Sequence, residues 1–111
     1  AEGTTTETNW TDIAASDFYF NLADYPGAKE VRFIASLQAL HGSAKVEARL
    51  YDQTNKRGVD YSELETKNDA YTLIESSGIV IWRGNNKYSV QLRSANGTRV
   101  LLKEARLKVI F

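Results

Sequence analysis

The sequence predicts an all-β protein, a single antiparallel β-sandwich domain of jelly-roll type. Three observations predict it. Apolar and polar residues alternate singly along most of the chain, as they do in strands with one buried face. Turn formers punctuate these runs at Tyr25-Pro26-Gly27, His41-Gly42-Ser43, Ser76-Ser77-Gly78, Arg83-Gly84-Asn85-Asn86 and Asn96-Gly97. No stretch long enough for a helix keeps a helical apolar period. About seven to nine short strands at this spacing read as a sandwich or jelly roll.

Residues 1–9 are rich in Thr and Glu, with no apolar residue beyond Ala1. Their composition is that of a flexible polar segment, distinct from a sandwich domain over 10–111. Were it ordered, it would have to lie against its own domain or act as an arm onto a neighbouring subunit. Trp10 to Ala15 suits a short strand. Asp17 to Leu22 suits another, with Phe18, Phe20 and Leu22 inward. Pro26 presets φ in the turn that follows and Gly27 relieves the bend. Glu30 to Leu40 is a long strand with Val31, Phe33, Ala35, Leu37 and Ala39 on one face. Ile34 and Leu40 on the other face make it more covered than a surface strand. Ala44 to Asp52 alternates again, with Val46, Ala48 and Leu50 inside.

Gln53 to Asp69 is a polar interval holding a short edge strand around Tyr61 to Glu65. Ala70 to Glu75 and Ile79 to Trp82 read as two strand pieces separated by Ser76-Ser77-Gly78. In the final stretch Tyr88, Val90 and Leu92 share one face. After Asn96-Gly97, a strong tight-turn pair, Ala105, Leu107, Val109 and Phe111 share another. This reads as a hairpin whose last strand must pair and bury its apolar face.

At 111 residues the chain suffices for one core. It has no cysteine, so disulfides and thiolate metal sites are excluded. Formal net charge is zero, which argues against nucleic acid as a partner, and no apolar run is long enough for insertion into a membrane as a helix. With no methionine anywhere, a chain beginning Ala1-Glu2-Gly3 is expected to be a mature form freed of a leader and therefore exported; a trimmed tag is the alternative. Charge is uneven. Residues 1–30 carry Glu2, Glu7, Asp12, Asp17, Asp24 and Glu30 against Lys29, a net of −5 that leaves +5 on the rest. Much of that excess is Arg99, Lys103, Arg106 and Lys108. First and last strands could neutralise each other within one sandwich, or the acidic end of one copy could meet the basic strand of another.

From Ala48 on, the segments Ala48-Arg49-Leu50-Tyr51-Asp52-Gln53-Thr54, Ser62-Glu63-Leu64, Tyr71-Thr72 and Ser77-Gly78 are of one kind with Lys87-Tyr88-Ser89-Val90-Gln91-Leu92-Arg93-Ser94 and Ala105-Arg106-Leu107. Together they resemble jelly-roll sandwich modules of bacterial and phage surface proteins, related in plan to galactose-binding-like carbohydrate-binding modules. The resemblance covers roughly the last eighty residues and bears on fold more than activity. It implies that an acidic residue near the start of the last strand, here Glu104, stands where relatives hold a structural calcium.

The residues do not suggest an enzyme. His41, the one histidine, sits in a Gly-Ser turn without an orienting partner. Asp60 and Glu63 read as solvated charges that blunt an edge strand. No cofactor and no metal site are expected. The leading expectation is a non-catalytic extracellular structural protein at a cell or virion surface, a homo-oligomer or polymer held by strand contacts between copies. Thr4, Thr5, Thr6 and Glu7 would meet Arg106, Lys108 and Ile110 there. The alternative is a carbohydrate-binding module that takes a polysaccharide on Tyr25, Tyr51, Tyr61 and Trp82, with Trp10 and Tyr19 as further outward aromatics. Asn9-Trp10-Thr11 and Asn96-Gly97-Thr98 are acceptor triplets for glycosylation at Asn9 and Asn96.

Overall fold

A computed structural model describes residues 2–40 and 45–111. The His41-Gly42-Ser43 turn and Ala44 lie outside the described residues. The strands are β1 (Gly3–Thr5), β2 (Thr11–Asp12), β3 (Phe18–Phe20), β4 (Glu30–Ala39), β5 (Val46–Asp52), β6 (Arg57–Gly58), β7 (Leu64–Thr66), β8 (Thr72–Gly78), β9 (Asn86–Ser94) and β10 (Val100–Ile110), with one 3₁₀ turn at Leu22–Asp24. All pairings are antiparallel. One sheet has the order β1-β10-β4-β8. In the other, β2 and β3 border one side of β9, β5 the opposite side, and β6 and β7 flank β5. The two sheets form a jelly-roll-type sandwich.

Alternation puts Val31, Phe33, Ala35, Leu37 and Ala39 of β4 into the core. Val46, Ala48 and Leu50 of β5 and Tyr88, Val90 and Leu92 of β9 meet them from the opposite sheet. Burying such faces is the main favourable term in folding. Ile34, on the far face of β4, is also buried, as the apolar character of both faces of that strand anticipates.

The final hairpin is not formed. β9 belongs to one sheet and β10 to the other, and residues 95–99 cross between them. Asn96-Gly97 still bends the chain: Gly97 has φ +87°, and the Asn96 side chain accepts from the Thr98 amide at 3.1 Å. Alternation reports that each run has one buried face, but not that the two runs neighbour each other. Leu92 and Val100 are both fully buried, facing one core from opposite layers.

Ser76-Ser77-Gly78, expected as a turn between two strand pieces, is instead the end of β8. The ladder shifts register between Arg32 and Ile34, and there the Ser76 hydroxyl accepts from the Phe33 amide at 2.8 Å. A small hydroxyl thus replaces a carbonyl at the irregularity. Ile79–Trp82 is correspondingly not a strand. Ile79 donates one bond to the Val31 carbonyl, and Val80 to the Asp60 carbonyl at 3.2 Å. The short strand of the polar interval lies at Leu64–Thr66, slightly later than the Tyr61–Glu65 run predicts.

Gly3, Thr4 and Thr5 pair with Leu102, Leu101 and Val100 of the same chain. Thr4 Oγ1 donates to the Val100 carbonyl at 2.8 Å, and Thr5 is buried. Gly3 is required where it stands, because an added Cβ would lie 2.6 Å from the Ile13 side chain.

Ser62 is fully buried; its Oγ accepts from the Leu50 amide at 3.1 Å and donates to the Val59 carbonyl at 2.7 Å. Ser62→Ala should leave that amide unsatisfied and cost about 1–3 kcal/mol, measured by denaturant unfolding. On the outer face of the first sheet Arg32 donates to Glu75 at 2.7 Å, and Lys108 lies 3.6 Å from it. The Arg32 hydrogen bond, foremost, holds the Glu75 carboxyl below its ordinary value. A carboxylate whose folded pKa is depressed contributes stability at neutral pH that is lost as pH falls through that lowered value. Melts from neutral pH into the acid range should show Glu75→Gln losing less stability on acidification than the unaltered protein.

Candidate ligand-binding surface

Exposed aromatics stand on connections between strands: Tyr25 and Trp82 at the end of the sandwich where β9 begins, and Tyr61 between β6 and β7. Tyr25 follows the 3₁₀ turn, whose N-cap Asn21 accepts from the Ala23 amide at 3.0 Å. Its ring stacks on the core residue Phe20, with centroids 5.3 Å apart and 15° between planes. Tyr25 also lines an open groove with Asn21, Leu22, Ile81, Arg83 and Gly84. Gly84 makes the tight bend below this groove at φ +100°.

Trp82 lies between two of those groove residues in the chain and is 45% exposed. The Arg57 guanidinium sits 4.2 Å from its ring centroid, and Arg57 also pairs with Asp60 at 2.9 Å. The Asn86 amide donates to the Trp82 carbonyl at 3.1 Å. Side-chain and main-chain contacts therefore both hold the ring at the rim. Tyr61, next to Asp60, is 70% exposed and adopts φ +68°, a left-handed conformation that turns the chain sharply. Beneath this end, Asp52 is buried and accepts from the Asn55 amide at 3.0 Å and its side chain at 2.7 Å, closing the loop after β5.

Tyr51 stands elsewhere, on the outer face of the sheet that contains β9. There the Arg49 guanidinium lies 5.4 Å from the Tyr51 ring and 4.6 Å from Trp10, and Arg93 lies 4.2 Å from Trp10. Arg49 also donates to Gln91 at 2.7 Å, Gln91 donates to Asp12 at 3.0 Å, and Ser89 donates to Asp12 at 3.2 Å. Arg93 pairs with Glu47 at 3.1 Å. Burial, chiefly, lowers the Arg49 pKa. This face is a connected network whose donors are engaged with one another, and Trp10 is covered by two guanidiniums.

The residues expected to join subunits fall into two groups. Thr4 accepts from Arg99 at 3.1 Å, Thr5 Oγ1 accepts from the Glu7 amide at 3.0 Å, and the Glu7 carbonyl accepts from Ser94 at 2.8 Å. Thr6 is exposed. Arg106 pairs with Glu104 at 3.4 Å, Lys108 faces Glu75, and Ile110 is half-buried at the far end of β10. Within one chain β1 reaches only Leu102, so the two groups do not touch. Asn9 and Asn96 are both exposed on loops. Glu104 faces Arg106, and among the described residues no three His, Cys, Asp or Glu side chains converge on a metal-sized site. Among the same residues no helix is long and apolar enough to cross a membrane.

Arg57, Arg83 and Asn21 carry no signal of their own in the sequence. Arg57 and Trp82 are separated in the chain by β7 and β8, and the Asp60–Val80 backbone bond helps bring their segments together.

No family model matches the chain, and no curated protein matches it in sequence. Among solved structures, the CBM22-1 xylan-binding domain of Xyn10C from Paenibacillus barcinonensis superposes on 96% of this chain and 68% of its own, with a TM-score of 0.49 and 16% identity.

In a Trp10→Phe background, Arg57→Gln should expose the other face of Trp82. Acrylamide quenching of the remaining tryptophan should then rise, with a stability loss of about 0.5–1 kcal/mol. Unchanged quenching would mean that Arg57 does not cover the ring.

Proposed function

We propose that this chain is a non-catalytic carbohydrate-binding module, exported with the protein it serves, that takes a polysaccharide across the loop end of the sandwich. The exposure of Tyr25, Trp82 and Tyr61 on the connections, two of them held by stacking or cation–π contacts, is the observation that carries this reading. A pyranose ring has apolar C–H faces and a polar hydroxyl rim. Flat aromatic rings pack against the first while neighbouring donors and acceptors take the second. Arg83 and Asn21 along the groove supply such polar groups. The Arg83 side chain has no ion-pair partner among the described residues. Rings already fixed before binding lose little freedom on contact, which favours affinity.

The opposite sheet face suits this role less well, since its donors are already engaged and Trp10 is covered. Sugar binding is therefore assigned to Tyr25, Trp82 and Tyr61, with Tyr51 outside the site. Contact between copies of this chain is a second reading, and the unpaired side of β10 favours it.

Glycan-array screening followed by titration calorimetry tests the proposal. Trp82→Ala and Tyr25→Ala should each weaken binding at least about tenfold, roughly 1.4 kcal/mol, while Tyr51→Ala stays within about twofold. An array without a hit at high protein concentration would overturn the reading. Loss of affinity in Tyr51→Ala alone would move the site to the sheet face.

A further inference from the structure

β10 is eleven residues long, yet β1 covers only Val100–Leu102 on one of its sides. From Glu104 to Ile110 β10 pairs with β4, and no strand among the described residues takes the other side. The orientation of its peptide groups follows from bonds made by the neighbours. The Val31 carbonyl accepts from Ile79 and the Phe33 amide donates to Ser76, so these residues of β4 turn away from β10. Their register partners are Val109 and Leu107. At the strand end the Ile110 carbonyl points the other way and accepts from the Lys29 amide. Peptide groups alternate sides along an antiparallel strand. Ala105, Leu107 and Val109 thus direct their N–H and C=O groups at the open edge, while Glu104, Arg106 and Lys108 stand exposed on the outer face.

A cleft runs beside this edge, between the two sheets, lined by the apolar side chains of Phe18, Phe20, Ala105, Leu107 and Val109, with Tyr19, Tyr25 and Arg106 completing its wall. Proteins ordinarily blunt or cover an edge of this kind. We infer that the open edge of β10 is the pairing site for β10 of a second copy, forming an antiparallel, two-fold symmetric dimer in which the sheets of both copies join. Tyr25 borders both this cleft and the proposed sugar groove, but the inference rests on the open edge of β10 and not on that reading.

Charge and size select the register. Edge-facing residues must oppose one another, so the two-fold axis passes through or beside a small set of positions. With Arg106 on the axis, Glu104 of each copy lies opposite Lys108 of the other, and each Ala105 lies opposite a Leu107. Leu107 then enters the cleft mouth where the small Ala105 leaves room. The two Arg106 side chains meet on the axis, where each keeps its own Glu104 at 3.4 Å. Moving the axis to Leu107 sets Arg106 against Lys108 twice, which repels. Moving it to Ala105 runs Lys108 into the position already taken by Gly3 opposite Leu102. The favoured register ends at that same block, which limits each copy to one partner and gives a closed pair rather than a filament.

Sedimentation equilibrium of the full chain from micromolar to millimolar concentration tests this. The mass should rise to that of two chains. Lys108→Glu should weaken association at least about tenfold, because two attractions become two repulsions, and Glu104→Lys combined with Lys108→Glu should restore it to within about threefold. Circular dichroism melts check that the variants fold. In the unaltered protein, the amide protons of Ala105, Leu107 and Val109 should exchange more slowly as concentration rises. Trp82→Ala should leave association unchanged, which separates this result from the sugar site. A mass of one chain throughout, a dimer indifferent to Lys108→Glu, or a failure of the double reversal to restore it would each overturn the inference.

Discussion

Burial of the inward faces of β4 and β9 against each other is the constraint on which the rest depends. Phe33, Ala35 and Leu37 on one side and Tyr88, Val90 and Leu92 on the other are all at or near full burial. Each of these strands has a pairing neighbour on both sides, so their backbone groups are satisfied within the sheets. The remaining strands extend these two, and the connections add Ile13, Val59 and Ile79 to the same core while staying polar elsewhere.

Positions freed from packing are where the chain places its exposed aromatics. Tyr25, Tyr61 and Trp82 lie on connections, yet each connection is tied down: by the Asn21 cap, by the Arg57–Asp60 pair, and by Asn86 holding the Trp82 carbonyl. A ring on such a loop can be both exposed and fixed. On the sheet face, by contrast, Arg49 lies against Tyr51 of its own strand and, with Arg93 of β9, against Trp10. Strand spacing brings such side chains together by default.

The same topology explains why the two ends of the chain matter jointly. β1 is short and polar, so it covers only the first part of β10 and leaves the remainder with outward peptide groups. A longer first strand would have sealed that edge. The acidic N-terminal region and the basic last strand do meet, through Thr4 and Arg99, but over three residues only.

The sequence by itself determined the sandwich class, most strand positions and the inward faces of β4, β5 and β9, because side-chain alternation is local and hydrophobic burial reads it directly. It also marked the exposed aromatics as a set without showing which ones share a surface. Only the tertiary structure decided partners: that β9 and β10 lie in different sheets despite Asn96-Gly97 between them, that Ser76 continues a strand, and that Arg57 covers Trp82. It also decided that β10 keeps one open side. Pairing is long-range, set by which apolar faces can close one core together, and a period of two along the chain is the same whichever neighbour a strand receives.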